Sequence, residues 1–158
     1  MKPRIEIIKE KKFIGMSIEM SLADNQTFQL FNTFMPRKKE ILNLKNHDVY
    51  DLIIYPKGYF LTFDPTANFK KYALVEVLDL ENIPAEMESF ILSKGKYAVF
   101  TFKGYVPNQA NFEYIFSTWL PNSVFDLDDR PHFDILSEKI QQKSNDAYQE
   151  IWIPIRTK

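Results

Sequence analysis

The side chains in this sequence with the greatest chemical potential are carboxylates set among aromatic residues. Asp134 stands in the run His132-Phe133-Asp134-Ile135-Leu136, Glu150 in Tyr148-Gln149-Glu150-Ile151-Trp152, and Asp51 in Tyr50-Asp51-Leu52-Ile53-Ile54-Tyr55. Read as strands, these runs alternate sides with period two. Asp134 then shares a face with His132 and Leu136, opposite Phe133 and Ile135. Glu150 shares a face with Tyr148 and Trp152, opposite Ile151, Ile153 and Ile155, and Asp51 falls with Ile53 and Tyr55. Taking the Phe/Ile and Ile/Ile/Ile faces as the core against helices turns Asp134, Glu150, Tyr148 and Trp152 toward one cleft, to which Asp51 and Tyr55 are added from the first half. Such a cleft suits a cation. Each aromatic face attracts one by roughly 0.5–2 kcal/mol, and a partly buried carboxylate neutralises it when binding offsets the desolvation cost. The empty site would hold that carboxylate at a raised pKa. Each residue also has an ordinary alternative. A strand aspartate beside a Pro turn caps or faces solvent, Tyr148 and Trp152 pack, and His47 and His132 are read as surface or cap residues.

Other chemistries are narrowed by composition. There is no cysteine, which removes disulfides, thiolate metal sites and a cysteine nucleophile. The two histidines, with no supporting spacing, suggest no metal site, and no cofactor is expected. No nucleophile elbow is present, so a hydrolytic reading would rest on a carboxylate as base or nucleophile. The net charge of −1 over 158 residues argues against direct nucleic-acid binding. The N-terminal segment has no apolar signal core, and no apolar run is long enough to span a membrane, so a cytoplasmic location is expected.

The elements that must position these residues come twice. Strands are expected at 5–8, 13–20, 49–55, 72–80, 88–92, 97–102, 132–136 and 148–156, with residues 59–63 a short extension or loop and 139–146 a polar connection. Helices are marked by Phe28, Phe31, Phe34 and Met35 and by Phe112, Ile115, Phe116 and Trp119, with Pro36 and Pro121 near their ends. At an offset near 84, Gly15 falls on Val99, Phe28 on Phe112 and Phe31 on Ile115. At 83, Tyr50-Asp51-Leu52-Ile53 falls on Phe133-Asp134-Ile135-Leu136. The expectation is an α+β fold of two pseudo-twofold βαββ units, halves 1–84 and 85–158. Antiparallel sheets would carry helices on one face and a central groove, in a single domain, since no Gly, Ser or Pro-rich linker divides the halves.

Four segments together resemble the GyrI-like effector-binding family: Gly95-Lys96-Tyr97-Ala98-Val99-Phe100, Trp119-Leu120-Pro121, Asp128-Asp129-Arg130-Pro131-His132-Phe133-Asp134, and Glu150-Ile151-Trp152-Ile153-Pro154-Ile155. Their order and spacing over residues 88–156 carry the likeness. The resemblance implies a stand-alone binder of a lipophilic or cationic drug or metabolite, with the family's groove acid at Asp134. The family has Glu there and Tyr two residues on, where this chain has Asp134 and Leu136. It also implies two alternatives, a gyrase-inhibitor-like protein-interaction domain whose partner is DNA gyrase or a regulator, and a carboxylate-based hydrolase of a reactive small molecule. An enzymatic role is the less expected reading. No helix-turn-helix precedes the first strand, so a DNA-binding regulator is not expected.

Overall fold

The protein was analysed as a computed structural model that describes residues 2–104 and 109–158. Strands β1 (Arg4–Ile8) and β2 (Lys11–Met20) form nearly one long strand, as do β5 (Glu88–Leu92) and β6 (Gly95–Lys103). The two long strands pair antiparallel, and the register passes unchanged across both interruptions, from Arg4 opposite Val99 to Gly15 opposite Glu88. On one side β2 pairs with β4 (Phe69–Glu76) and β4 with β3 (Val49–Ile54). On the other, β6 pairs with β9 (Tyr148–Thr157) and β9 with β8 (His132–Leu136). The β3–β8 ladder joins these two arms, and β7 (Phe125–Leu127) pairs with the end of β9. The result is a mixed α+β fold dominated by one large antiparallel sheet, nine-stranded among the described residues.

Both faces of this sheet are covered. Helix α1 (Thr27–Phe34) continues as a 3-10 segment, Met35–Glu40, and buries Leu30 and Phe34 against Ile14, Val49, Ala73 and Val75. Phe28, expected on the buried stripe, lies on the first turn and is 76% exposed. Helix α2 (Gln109–Tyr114) runs through a π-helical turn, Ile115–Trp119, into α3 (Leu120–Asn122). Ile115, Phe112 and Trp119 pack on Phe100, Ile151, Ile153 and Ile155. The opposite face holds a third cluster drawn from both halves, in which Phe13, Tyr50, Leu52, Tyr72, Tyr97, Phe133 and Trp152 pack together.

Strand β4 starts earlier and stops sooner than expected. Beyond Glu76 the chain leaves the ladder, and the Leu78 N–H donates to the Asn43 carbonyl while the Asn43 amide donates to Asp79. The polar 139–146 connection contains a short helix, α4 (Glu138–Gln141), capped by the Ser137 hydroxyl and anchored by buried Ile140. Residues 59–63 include a 3-10 turn, Tyr59–Leu61, entered through Gly58 at φ 81°.

Gly15 is held by a close approach of strands. A Cβ there would overlap the Ala73 carbonyl oxygen on the paired strand β4. Gly15→Ala is therefore expected to destabilise the protein by about 1–3 kcal/mol. A lower denaturation midpoint at an unchanged slope would show it.

Candidate functional site

The β3–β8 ladder places Asp51 directly opposite Asp134. Directly opposite residues of an antiparallel pair point to the same face, and here that face is set by neighbours. Val49 and Leu136, also opposite each other, pack under α1. The two aspartates therefore lie on the helix-bearing face, at the seam between the α1 cluster and the α2 cluster. They line a cavity of about 300 Å³ with Asn25, Thr27, Ile53, Lys71, Phe112 and His132.

This corrects the face assignment made from sequence. In β8 the helix-facing set is His132, Asp134 and Leu136, not Phe133 and Ile135. The β8–β9 register sets Asp134 beside Ile151 and Phe133 beside Trp152. Phe133 and Trp152 stack at 5.1 Å on the far face, with Tyr97 edge-on to the indole. Glu150 is on that far side too, where its carboxylate accepts from Arg4 Nη2 at 2.9 Å and from Trp152 Nε1 at 3.3 Å. Tyr148 begins β9, 55% exposed. Glu150, Tyr148 and Trp152 are thus separated from Asp134 by the sheet itself, because β9 presents Gln149, Ile151, Ile153 and Ile155 to the helices.

Two polar partners in the site were missed from sequence. Lys71 on β4 pairs with Ile53, two register positions from Asp51 and on the same face, and its Nζ stands 3.3 Å from Asp51 Oδ2 while donating to Thr27 Oγ1 at 3.0 Å. Gln149, 4% exposed, donates from Nε2 to Asp134 Oδ2 at 3.2 Å. Both interrupt otherwise apolar helix-facing sets, Lys71 before Ala73 and Val75 and Gln149 before the three isoleucines. That interruption was the available signal. The other Asp51 oxygen, Oδ1, is fully covered and accepts no hydrogen bond from a described residue.

His132 is not a surface residue but a buried wall of the site. Its ring meets Tyr55 edge-on at 4.9 Å and is stacked by Phe60 at 5.5 Å and Phe116 at 6.3 Å. Phe60 also stacks on Phe116 at 5.4 Å, so the loop after β3 is tied to the helical segment of the other half. Tyr55, Tyr59, Phe60, Leu61, Arg130 and His132 line a second, larger cavity of about 530 Å³ at the strand ends, and His132 is common to both.

Burial governs the electrostatics. Desolvation pushes Asp134 up to about 8, with the charge of Asp51 adding to it and Lys71 and Gln149 opposing. Asp51 is also raised by desolvation, against the pull of Lys71. The imidazole of His132 is driven down to about 3, first by desolvation and then by Arg130, so it is neutral at ordinary pH. Lys71 thus stands against Asp51, while Asp134, raised to about 8, keeps its proton at neutral pH. Among the described residues no group of histidines and carboxylates is placed to hold a metal ion. No described helix is long and apolar enough to cross a membrane.

A family model for integron-associated effector binding proteins, Cass2, matches residues 4–155. The chain belongs to this effector-binding family. Three solved structures share its fold. SAV2435 bound to tetraphenylphosphonium superposes at TM-score 0.75 with 16% identity, covering 99% of this chain and 94% of that one. The EcmrR C-terminal domain superposes at 0.73 with 14% identity, covering 99% and 98%. The Vibrio cholerae integron cassette protein VCH_CASS2 does so at 0.61 with 20% identity, covering 98% and 96%. No curated protein matches the sequence. The effector-binding resemblance drawn from the sequence motifs stands with this membership.

Proposed function

We propose that this effector-binding protein takes a small lipophilic cation into the cavity over the β3–β8 seam. Asp134 would supply the balancing charge, and Phe112, His132 and Ile53 the walls, with Tyr55 and Phe60 lining the adjoining cavity beyond His132. The observation that carries the reading is the facing pair Asp51 and Asp134 at the floor of a partly closed, ring-lined cavity. An uncharged Asp134 lowers the cost of the empty site, and an entering cation restores the charged form by displacing the proton. The same protonated state counts against the hydrolase alternative, because a base or nucleophile must be ionised to act. The gyrase-type alternative has no observation of its own.

Proton displacement gives the test a distinctive shape. Titrating tetraphenylphosphonium by calorimetry is expected to show affinity rising with pH, by up to about tenfold per pH unit below 8 and levelling above it, as expected for one proton released per ligand bound. Neutral aromatics of similar size are expected to bind weakly and without that dependence. Equal binding of neutral and cationic probes at every pH would refute the assignment.

A further inference from the structure

We infer that the free edge of strand β1 (Arg4–Ile8) is an interface at which two copies of this chain pair antiparallel, with Ile5 opposite Ile5 and Arg4 opposite Glu6 of the second copy. The edge lies apart from both cavities, none of whose lining residues is on β1.

Among the described residues β1 pairs with β6 alone, so its outer edge is open. Which backbone groups point outward follows from one proline. Tyr97 on β6 faces Pro154 on β9, and Pro154 has no N–H, so that position is not a hydrogen-bonded one. Tyr97 therefore turns its N–H and C=O the other way, to Glu6 on β1. Lys96, of opposite parity, directs its carbonyl toward β9, where it and the Ile155 carbonyl both accept from Arg130 Nη2, at 2.6 and 3.1 Å. Along β1 the same parity leaves Ile5 and Ile7 with N–H and C=O directed outward, and their side chains are 44% and 74% exposed. An edge of this kind templates another strand unless charge, Pro or a covering segment prevents it. Here charge selects the partner. Only outward residues bond across a new pair, which limits the register to steps of two. With Ile5 opposite Ile5, each Arg4 faces a Glu6 at the closer, non-hydrogen-bonded positions, so the twofold pair gains two cross-strand ion pairs. A slip of two residues either way sets Arg4 against Arg4 or Glu6 against Glu6, and like charges directly opposite destabilise. Both side chains are free to reach across: Arg4 Nε lies 2.9 Å from Glu6 within the strand, and both are partly in solvent. The edge thus complements itself, and a second copy is the occupant it fits.

Sedimentation equilibrium tests the pairing. A short strand pair is small beside the roughly 1,200–2,000 Å² of a stable interface, so the dimer is weak, and the average mass of the wild type is expected to rise toward twice that of one chain between about 10 μM and 1 mM. Ile5→Pro removes the outward N–H and leaves the β6 ladder its bonds, and it is expected to keep the monomer mass at the highest concentration. Arg4→Glu and Glu6→Arg, each checked for folding by circular dichroism, are expected to stay monomeric alone. Mixed, they face each other with opposite charges at both positions and are expected to associate about tenfold or more tighter than either does with itself. Wild type that keeps the monomer mass throughout, as an edge reserved for a foreign strand would, overturns the self-pairing. So does Ile5→Pro that dimerises as well as wild type, or a mixture no tighter than its components.

Discussion

Stability is expected to fall by about 2 kcal/mol as pH rises from 6.5 to 8, and Asp134→Asn is expected to remove most of that fall. The folded-state value for Asp134 is pushed up to about 8, above the ordinary carboxylate range. The folded protein then holds a proton that the unfolded chain releases. The stability this group contributes is complete below about pH 4 and is lost as pH rises through the folded value. His132 has the opposite sign over part of the range. Its folded value is depressed to about 3, so the unfolded chain takes up a proton that the folded protein refuses, and stability rises with pH up to the ordinary histidine range near 6.5. The two effects oppose each other between about pH 4 and 6.5, and only the carboxyl effect remains above it. Asn keeps an acceptor for Gln149 and has no proton to lose, so the variant should be flat from pH 6.5 to 8 and more stable than wild type at pH 8. For a domain of this size 1 kcal/mol moves Tm by about 2–4 °C. Thermal melts of both proteins at half-unit pH steps would show it. A wild-type curve flat over that interval would mean that Asp134 ionises freely in the folded protein.

Lys71→Met is expected to destabilise the protein by about 3–5 kcal/mol near pH 8, because it leaves the covered Asp51 carboxylate without the charged partner it has among the described residues. The cost should shrink as pH falls, because burial already raises Asp51 and it can take a proton instead. Adding Asp51→Asn should recover most of the loss, since removing both charges of a covered pair is far milder than removing one. Urea denaturation of wild type, both single variants and the double variant completes the cycle. Additive single-variant losses would show that the two side chains do not interact in solution.

The sequence carried more of the site than its low-identity repeat suggests. The offset of 83 sets Tyr50-Asp51 on Phe133-Asp134 in the sequence, and the β3–β8 register places the two aspartates opposite each other. The four motifs of the second half likewise pointed to the effector-binding family. Lys71 and Gln149 were visible only as polar interruptions in apolar sets, which is a weak signal until a neighbouring strand supplies their partner. His132 was misjudged because nothing local shows that Phe60 and Phe116, from two different loops and helices, close over it.

What alternation along each strand determined was which residues travel together: Asp134 with His132 and Leu136, Glu150 with Tyr148 and Trp152. It could not determine which set faces the helices. A half-exposed sheet announces its inner face by polarity, but here both faces are covered. One lies under α1 and α2, and the other packs on itself through Phe13, Tyr50, Tyr97, Phe133 and Trp152. With apolar residues on both sides of β8, the choice fell to tertiary structure. The pairing of β8 with β3 and β9 turned Asp134 toward Asp51 and Lys71, and put Glu150 and Trp152 on the other side of the sheet.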